Sequence, residues 1–353
     1  LPYLYSMNYR AAFEGRPIVE PMYWQSPDTW PAYDYLDEFR FGTELVVAPI
    51  VSAADRKVAR GRADLWLPQG DWFDFFDGRR YEAHGEGGRS ITAWRTLDRT
   101  PVFAKAGAIV PMQRLGEGDD VNSIANPTAM EVLLFPGACG EFVIREDDGV
   151  YAHASAGRTA DTTLRWQWRE GDAGDCAGAV DAAVAGEATV FTVDPVCGDG
   201  SDAAPKSRDW TITVRGVARP RISGDRLETC VQASVGNTVV ALRPADVSYD
   251  EATMSLAVTV RDVPTDQSLR IAFTDGLAIA DNPVERDCYD ILLHAQIQFF
   301  AKEKALNAIR EEGVRAIGSF AALNKKPRFD GDFLDVDLPE SVISALEEVL
   351  LRS

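Results

Sequence analysis

Histidine, cysteine and long apolar runs are scarce in this chain of 353 residues. Its three histidines, His84, His153 and His294, are scattered, and none stands near a serine or cysteine in a recognisable nucleophile motif. No two cysteines form the C-x-x-C pair of a zinc ribbon. No stretch reaches the roughly 18 apolar residues of a membrane helix. The sequence therefore predicts no metal, no cofactor and no membrane partner.

The five cysteines stand singly along the chain, at Cys139, Cys176, Cys197, Cys230 and Cys288. Because their number is odd and the chain is large, we interpret them as reduced thiols of a cytoplasmic protein. A Cys176–Cys197 disulfide is the alternative, since both residues flank an acidic region that is typical of a loop.

Acidic side chains outnumber basic ones, 55 to 36, which gives a formal net charge of −19. A surface of this sign repels phosphate backbones and anionic lipids, so nucleic acid and membranes are poor candidates for partners. A neutral ligand such as a sugar fits the charge better.

The pattern along the chain is mainly β. Residues 1 to about 14 have helical spacing that ends at Gly15, residues 18–23 are typical of a buried strand, and residues 33–41 suggest a short helix ended by Gly42. From residue 44 onward, short apolar or alternating segments and turn signals follow at close intervals, which is typical of antiparallel β-sandwiches.

We predict a proximal sandwich over 44–125, a distal sandwich over 126–283 and a helical region over 284–353. The predicted strands are 45–51, 63–67, 72–76, 90–94, 102–110, 131–135, 140–145, 162–168, 189–193, 210–217, 238–242, 255–260 and 268–273. The predicted helices of the last region are 289–312, 314–323 and 340–351.

Six segments resemble the C-terminal portion of glycoside hydrolase family 31, in the family's order and spacing. They are LPYLYS (1–6), GRPIVEPMYW (15–24), EFRFGTELVVAPIV (38–51), DLWLPQGDWFDFFDGRRYEA (64–83), LDRTPVFAKAGAIVPM (97–112) and EDDGVYAH (146–153). The resemblance implies that residues 1–43 are the last helix–strand–helix of a (β/α)8 barrel, followed by the two sandwiches. One departure is Glu20, where the family commonly has arginine before the proline.

The resemblance also implies an activity. Members of the family are retaining, exo-acting enzymes that hydrolyse α-glucosidic or α-xylosidic bonds with two barrel aspartates. No residue of this chain matches either aspartate motif, so no catalytic residue is assigned. We expect the aspartates upstream of Leu1, the chain alone to be inactive, and α-linked oligosaccharides to be bound through the missing barrel. The alternative is a non-catalytic carbohydrate-binding or assembly module.

Tyr23 and Trp24 are the only candidate site residues. If residues 18–23 form the eighth barrel strand, both side chains lie at its carboxyl end, where barrel enzymes bind substrate. They would then form a sugar-stacking rim. Packing of the two rings against the neighbouring domain is the alternative.

Three other features favour structural roles. Trp72, Phe73, Phe75 and Phe76 alternate along a strand, which favours core packing over a glycan platform. The segment 146–149, Glu-Asp-Asp-Gly, has too few oxygen ligands for calcium and predicts a hairpin turn. The apolar face of the helix 289–312 could cover the distal sandwich or a second subunit, and we favour docking within the chain.

The truncated start leads to a prediction about association. A barrel strand at 18–23 would lack its neighbours and expose unpaired N–H and C=O groups. Such an edge should be disordered, fold back onto the proximal sandwich or pair with a second copy. We predict self-association through residues 1–42.

Overall fold

The computed structural model describes residues 1–116, 118–119, 123–169, 189–220, 226–273, 276–323 and 338–352. Within these ranges lie 19 strands and seven α-helices, and all but one of the strand pairings are antiparallel. The mainly-β class is therefore confirmed.

The elements follow one another in this order. The first part contains α1 (Pro2–Glu14), β1 (Val19–Pro21), α2 (Pro31–Asp34), β2 (Phe39–Phe41), β3 (Leu45–Val47), β4 (Gly61–Leu67), β5 (Gly70–Asp74), β6 (Arg80–Ala83), β7 (Arg89–Arg95), β8 (Val102–Lys105) and β9 (Ile109–Gln113). The middle part contains β10 (Ala129–Leu134), β11 (Gly140–Glu146), α3 (Tyr151–Ser155), β12 (Ala160–Gln167), β13 (Thr189–Val193), β14 (Ser207–Arg215), β15 (Val231–Val235), β16 (Thr238–Val240), β17 (Val247–Asp250), β18 (Ser255–Pro264) and β19 (Leu269–Phe273). The last part contains α4 (Val284–His294), α5 (Phe299–Glu312), α6 (Ala316–Leu323) and α7 (Glu340–Leu351).

The proximal sandwich packs a six-stranded sheet, in the order β1-β2-β3-β8-β5-β6, against the two-stranded β4–β7 sheet. In β4, Ala63 and Leu65 are buried while Arg62 and Asp64 are exposed, so the alternation of the sequence places one face in the core. Trp72 and Phe73 are buried and Phe75 and Phe76 are partly buried against the core, which confirms the predicted packing role of these aromatics.

The distal sandwich packs a five-stranded sheet, β17-β18-β14-β10-β9, against a six-stranded sheet, β11-β12-β13-β19-β15-β16. The β10–β14 pair is parallel, and β11, β12 and β13, which lie between them in the chain, belong to the opposite sheet. Alternating residues such as Phe142 and Ile144, or Leu164 and Trp166, fill the space between the sheets.

The predicted single strand 102–110 is wrong, because the chain turns at Gly107. There β8 ends in the proximal sheet and β9 begins in the distal sheet. Gly107 has φ of 80°, and a Cβ at this position would lie 2.6 Å from the carbonyl oxygen of Cys139. Only glycine fits this close approach of two chain segments.

Residues 18–23 do not form a barrel strand. Val19–Pro21 pairs antiparallel with β2 at the edge of the proximal sheet, and a 3₁₀ turn follows at Met22–Trp24. The predicted helix 33–41 is also wrong, since only Pro31–Asp34 is helical and Phe39–Phe41 is a strand. Pairing of β2 with strands on both sides satisfies its N–H and C=O groups and outweighs the local helical pattern.

The predicted first helix and its end at Gly15 are confirmed, and α1 packs on both sandwiches. The Tyr3 hydroxyl donates a hydrogen bond to the carbonyl oxygen of Phe41 at 2.8 Å, and the Tyr3 ring stacks on Phe142 with 5.5 Å between centroids. Ser6 Oγ accepts a hydrogen bond from the backbone N–H of Arg145. Residues 1–42 therefore have partners within the chain, on the distal as well as the proximal sandwich, which corresponds to the fold-back alternative.

Self-association through residues 1–42 stays a prediction. The outer edge of β1 is unpaired within the described residues, but it is three residues long and includes Pro21, which has no N–H to donate. Light scattering of the full chain against a chain that starts at Glu44 tests the prediction. A larger mass for the full chain alone supports it, and two monomers that both fold contradict it.

The C-terminal region is helical as predicted, but residues 289–312 form two helices. The chain leaves helical geometry at Ala295, and the backbone N–H of Gln296 bonds to the carbonyl oxygen of Lys57. The helices pack on one another and on Val58 and Trp94, so the apolar face of this region docks on its own chain, against the proximal sandwich. We call its described residues, 284–323 and 338–352, the helical tail.

The interpretation of all cysteines as reduced thiols is wrong at Cys139, which is disulfide-bonded. Cys197 is a free thiol, so the Cys176–Cys197 pairing is excluded as well. Cys176 itself lies outside the described residues. The argument for a cytoplasmic protein rested on reduced cysteines and loses that support. No helix in the described part of the chain is both long and apolar enough to cross a membrane.

Candidate functional site

Tyr23 and Trp24 lie on an exposed group of aromatic side chains beside the proximal sheet. The 3₁₀ turn after β1 leaves Tyr23 40% and Trp24 54% exposed, and the Tyr23 ring stacks on Tyr33 at 5.0 Å with an interplanar angle of 8°. Trp30 lies 6.3 Å from Tyr33 and is 77% exposed. We call Tyr23, Trp24, Trp30 and Tyr33 the aromatic surface.

The sequence pointed to half of this surface. Trp30 was missed because Ser26 to Pro31 has the composition of a turn, and Tyr33 because residues 33–41 were predicted to be a helix. The Tyr33 hydroxyl donates a hydrogen bond to the carbonyl oxygen of Pro27 at 3.0 Å and so holds the turn against α2. A tryptophan between turn residues, followed by proline, is the signal that could have been used.

Glu20 lies behind the aromatic surface, with its side chain fully buried. It accepts hydrogen bonds from Gln25 at 2.8 Å, Arg10 at 3.2 Å and Arg16 at 3.3 Å. Burial alone would raise the pKa of Glu20, but the hydrogen bonds from Gln25 and Arg16 outweigh it and lower the pKa. Glu20, which stands where the family commonly has arginine, therefore has three polar partners within the chain and a structural role.

Glu38 is a second buried carboxylate near this surface and has fewer partners. Its Oε2 accepts the backbone N–H of Trp66 at 3.0 Å, while its Oε1 is buried without a hydrogen-bond partner among the described residues. Burial raises the pKa of Glu38 to about 8, although the Trp66 N–H and Arg40 oppose the rise. At neutral pH this side chain is therefore mostly protonated.

Glu38→Gln should make the protein less sensitive to alkaline pH. Because the folded-state pKa is raised above the unfolded value, the stabilisation from the protonated carboxyl is complete below about pH 4.5 and is lost as pH rises through about 8. The amide of the variant does not titrate. The free energy of unfolding of E38Q, relative to that of wild type, should therefore rise by up to about 5 kcal/mol from acid to alkaline pH. Urea unfolding at several pH values measures this, with the exposed Glu14→Gln as control. Parallel pH profiles for E38Q and wild type would contradict the assignment.

A charged cavity of about 330 Å³ lies between the proximal sandwich and the helical tail. Glu348 of α7 accepts hydrogen bonds from Arg95 Nη1 at 2.6 Å, from the Tyr81 hydroxyl at 2.7 Å and from the backbone N–H of Trp94 at 2.8 Å. Asp74 pairs with the same Arg95 at 2.9 Å. We call Asp74, Tyr81, Arg95 and Glu348 the tail lock, because its members join β5, β6, β7 and α7.

A second group of ion pairs lies beside the tail lock. Asp287 of α4 accepts hydrogen bonds from Arg79 Nη2 at 3.0 Å and from Arg352. The Arg79 guanidinium also donates to the carbonyl oxygen of Ala252, in the β17–β18 turn. The buried charges Asp74, Arg79, Arg95, Asp287 and Glu348 are thus paired with one another, and the chemistry of the cavity is that of a junction between three parts of the chain.

The acidic residues singled out in the sequence have protein partners. Glu146 pairs with Arg208 at 2.6 Å, Asp147 accepts the Tyr5 hydroxyl, and Asp148 pairs with His153 at 2.6 Å. These carboxylates serve different partners and do not converge on one point.

A cluster that the sequence did not reveal brings together Asp71, Glu82 and His84, whose ligand atoms lie within 4.8 Å of one another. Arg80 forms ion pairs with the carboxylates of Asp71 and Glu82, each at 3.0 Å. A guanidinium in this place balances the negative charge that a metal ion would otherwise neutralise, so the geometry favours an ion-pair network.

Two sandwiches in series, with a helix packed across both and a helical tail packed on the first, define the chain as a two-sandwich β protein. Residues 15–110 match the model of the glycosyl hydrolase family 31 C-terminal domain. This match, over the part of the chain that forms most of the proximal sandwich, confirms the resemblance predicted from the sequence.

Two curated relatives are similar to part of the chain. The chain is 27% identical over 170 residues to an alpha-xylosidase of Saccharolobus solfataricus, covering 47% of this chain and 21% of that protein. It is 28% identical over 153 residues to alpha-glucosidase 2 of Bacillus thermoamyloliquefaciens, covering 42% of this chain and 18% of that one. The chain thus spans about a fifth of the length of these curated relatives.

The same architecture is found in a Flavobacterium johnsoniae GH31 dextranase, whose structure was determined with isomaltotriose. It superposes with a TM-score of 0.58 at 21% identity, over 77% of this chain and 31% of that one. At this identity the superposition shows the fold alone.

Proposed function

We propose that this chain is the β-sandwich portion of a retaining, exo-acting α-glycosidase, an α-glucosidase or α-xylosidase, that acts on α-linked oligosaccharides. The observation that carries the proposal is the match of residues 15–110 to the family 31 C-terminal domain. The relatives named alpha-xylosidase and alpha-glucosidase support the proposed substrate class. The catalytic aspartate pair would be supplied by a barrel outside these 353 residues.

In this proposal the chain acts as a scaffold and contributes to the substrate rim. Its cores are large and continuous, and α1 contacts both sandwiches, so the aromatic surface is held on a rigid support. Tyr23 and Trp24 present exposed ring faces, which suit the C–H faces of a sugar, and would line the entrance to the barrel's pocket.

Two observations test the proposal together. The purified chain should not hydrolyse p-nitrophenyl α-glucoside or α-xyloside, because none of its residues matches the family's aspartate motifs. The coding sequence before Leu1, or a neighbouring gene, should encode a W-x-D-M-N-E-like segment of a family 31 barrel. Turnover by the chain alone, or the absence of such a segment from both places, would overturn the proposal.

A further inference from the structure

A groove beside Trp30 has the composition of a sugar-binding site and uses none of the predicted rim residues. It has a volume of about 500 Å³ and lies between the start of α2 and the β6–β7 loop. The Trp30 ring forms one side, and the buried Trp66 lies at its base. The polar side chains in its lining are Asp28, Thr29, Glu86 and Ser90.

Residues 86–88, which also line the groove, are held in place by a hydrogen bond and by close packing. The indole N–H of Trp66 donates to the carbonyl oxygen of Gly87 at 2.7 Å, and the backbone N–H of Gly88 bonds to Gly85 at 3.0 Å. Gly88 has φ of 79°, and a Cβ there would lie 2.3 Å from the carbonyl oxygen of Leu67. The loop that carries Glu86 therefore has a defined conformation before any ligand binds, which reduces the entropy cost of binding.

The charges in the groove restrict the class of ligand. Asp28 and Glu86 are exposed, and neither forms a hydrogen bond or ion pair with the described residues. Two unpaired carboxylates on a chain of net charge −19 disfavour anions. They are strong acceptors for hydroxyl groups, and the exposed indole offers an apolar face. Hydroxyl donors combined with an apolar C–H face are the features of a neutral sugar.

We propose that the Trp30 groove binds a neutral oligosaccharide, with a sugar ring stacked on Trp30 and its hydroxyls donating to Asp28 and Glu86. This site would hold a glycan chain on the proximal sandwich. It rests on the proposed function only in the choice of α-linked glucans as probes.

The experiment titrates the full chain with maltotriose and isomaltotriose by calorimetry and by saturation-transfer NMR. Trp30→Ala should weaken binding about tenfold or more, and Glu86→Gln by a smaller factor. Tyr151→Ala is the matched control, because Tyr151 is 86% exposed and lies on α3. It should bind as wild type does, and circular dichroism should show that all variants fold.

The outcomes separate this site from the rim. The proposed sugar site in the Trp30 groove would be contradicted if the wild type bound neither sugar, or if W30A and wild type bound with equal affinity. Loss of binding in Tyr23→Ala but not in W30A would also overturn it and would place the sugar on the rim, leaving the proposed function intact. Hydrolysis of a p-nitrophenyl glycoside by the chain alone would overturn the proposed function but would leave the proposed sugar site in the groove untouched.

Discussion

Glu348→Ala should lower the free energy of unfolding by about 3–5 kcal/mol and loosen the helical tail. The Glu348 side chain is 4% exposed. Without it, Arg95 loses one of its carboxylate partners, and the Tyr81 hydroxyl and the Trp94 N–H lose their hydrogen-bond acceptor. Arg95 is buried, so it cannot recover the lost interaction from water. Urea unfolding and hydrogen exchange of α4 and α7 would measure the two effects.

The neighbouring Glu347 provides the control for this prediction. It lies on the same helix and is partly exposed, and no hydrogen bond or ion pair joins it to the rest of the described chain. Glu347→Ala should therefore change stability by no more than about 0.5 kcal/mol. Equal unfolding curves for E347A and E348A would show that the tail is held by its apolar contacts and that the tail lock contributes little.

Arg208→Met should destabilise the distal sandwich by a similar amount, about 3–5 kcal/mol. Arg208 lies on β14 and Glu146 on β11, so their ion pair crosses between the two sheets, with both Glu146 oxygens 2.6 Å from Nη2. The Arg208 side chain is 0% and the Glu146 side chain 4% exposed. Methionine keeps most of the volume but leaves the Glu146 carboxylate buried without its cation.

The pH dependence of the Arg208→Met variant gives a second test. Burial raises the pKa of Glu146, and Arg208 opposes the rise. Without the arginine the folded-state pKa rises further above the unfolded value, so the loss of stability should be largest at neutral pH and shrink as the carboxyl protonates in acid.

The exposed pair Arg219–Glu251 is the control for both measurements. Arg219→Met should cost no more than about 1 kcal/mol at any pH tested, since both side chains are largely in water. A loss in R208M no larger than in R219M would mean that the buried pair does not hold the sheets together.

Local patterns in the sequence determined the elements that have strong periodicity or clear end signals. Helix α1 and its end at Gly15 followed from apolar spacing and a residue that accepts positive φ. The bounds of β13 and α7 agree with the predicted 189–193 and 340–351. The family resemblance followed from the order of short motifs, because their aromatic and proline positions reflect packing that the fold requires.

Tertiary pairing decided what periodicity could not express. Phe39–Phe41 is a strand because β1 and β3 lie on either side of it, and the segment 289–312 is broken where its backbone bonds to Lys57. The same holds for function. Tyr23 and Trp24 were visible in a local motif, whereas the Trp30 groove is built from three segments that are distant in sequence. The side chains that line such a site meet only after folding, so local sequence determines its composition while its geometry depends on long-range contacts.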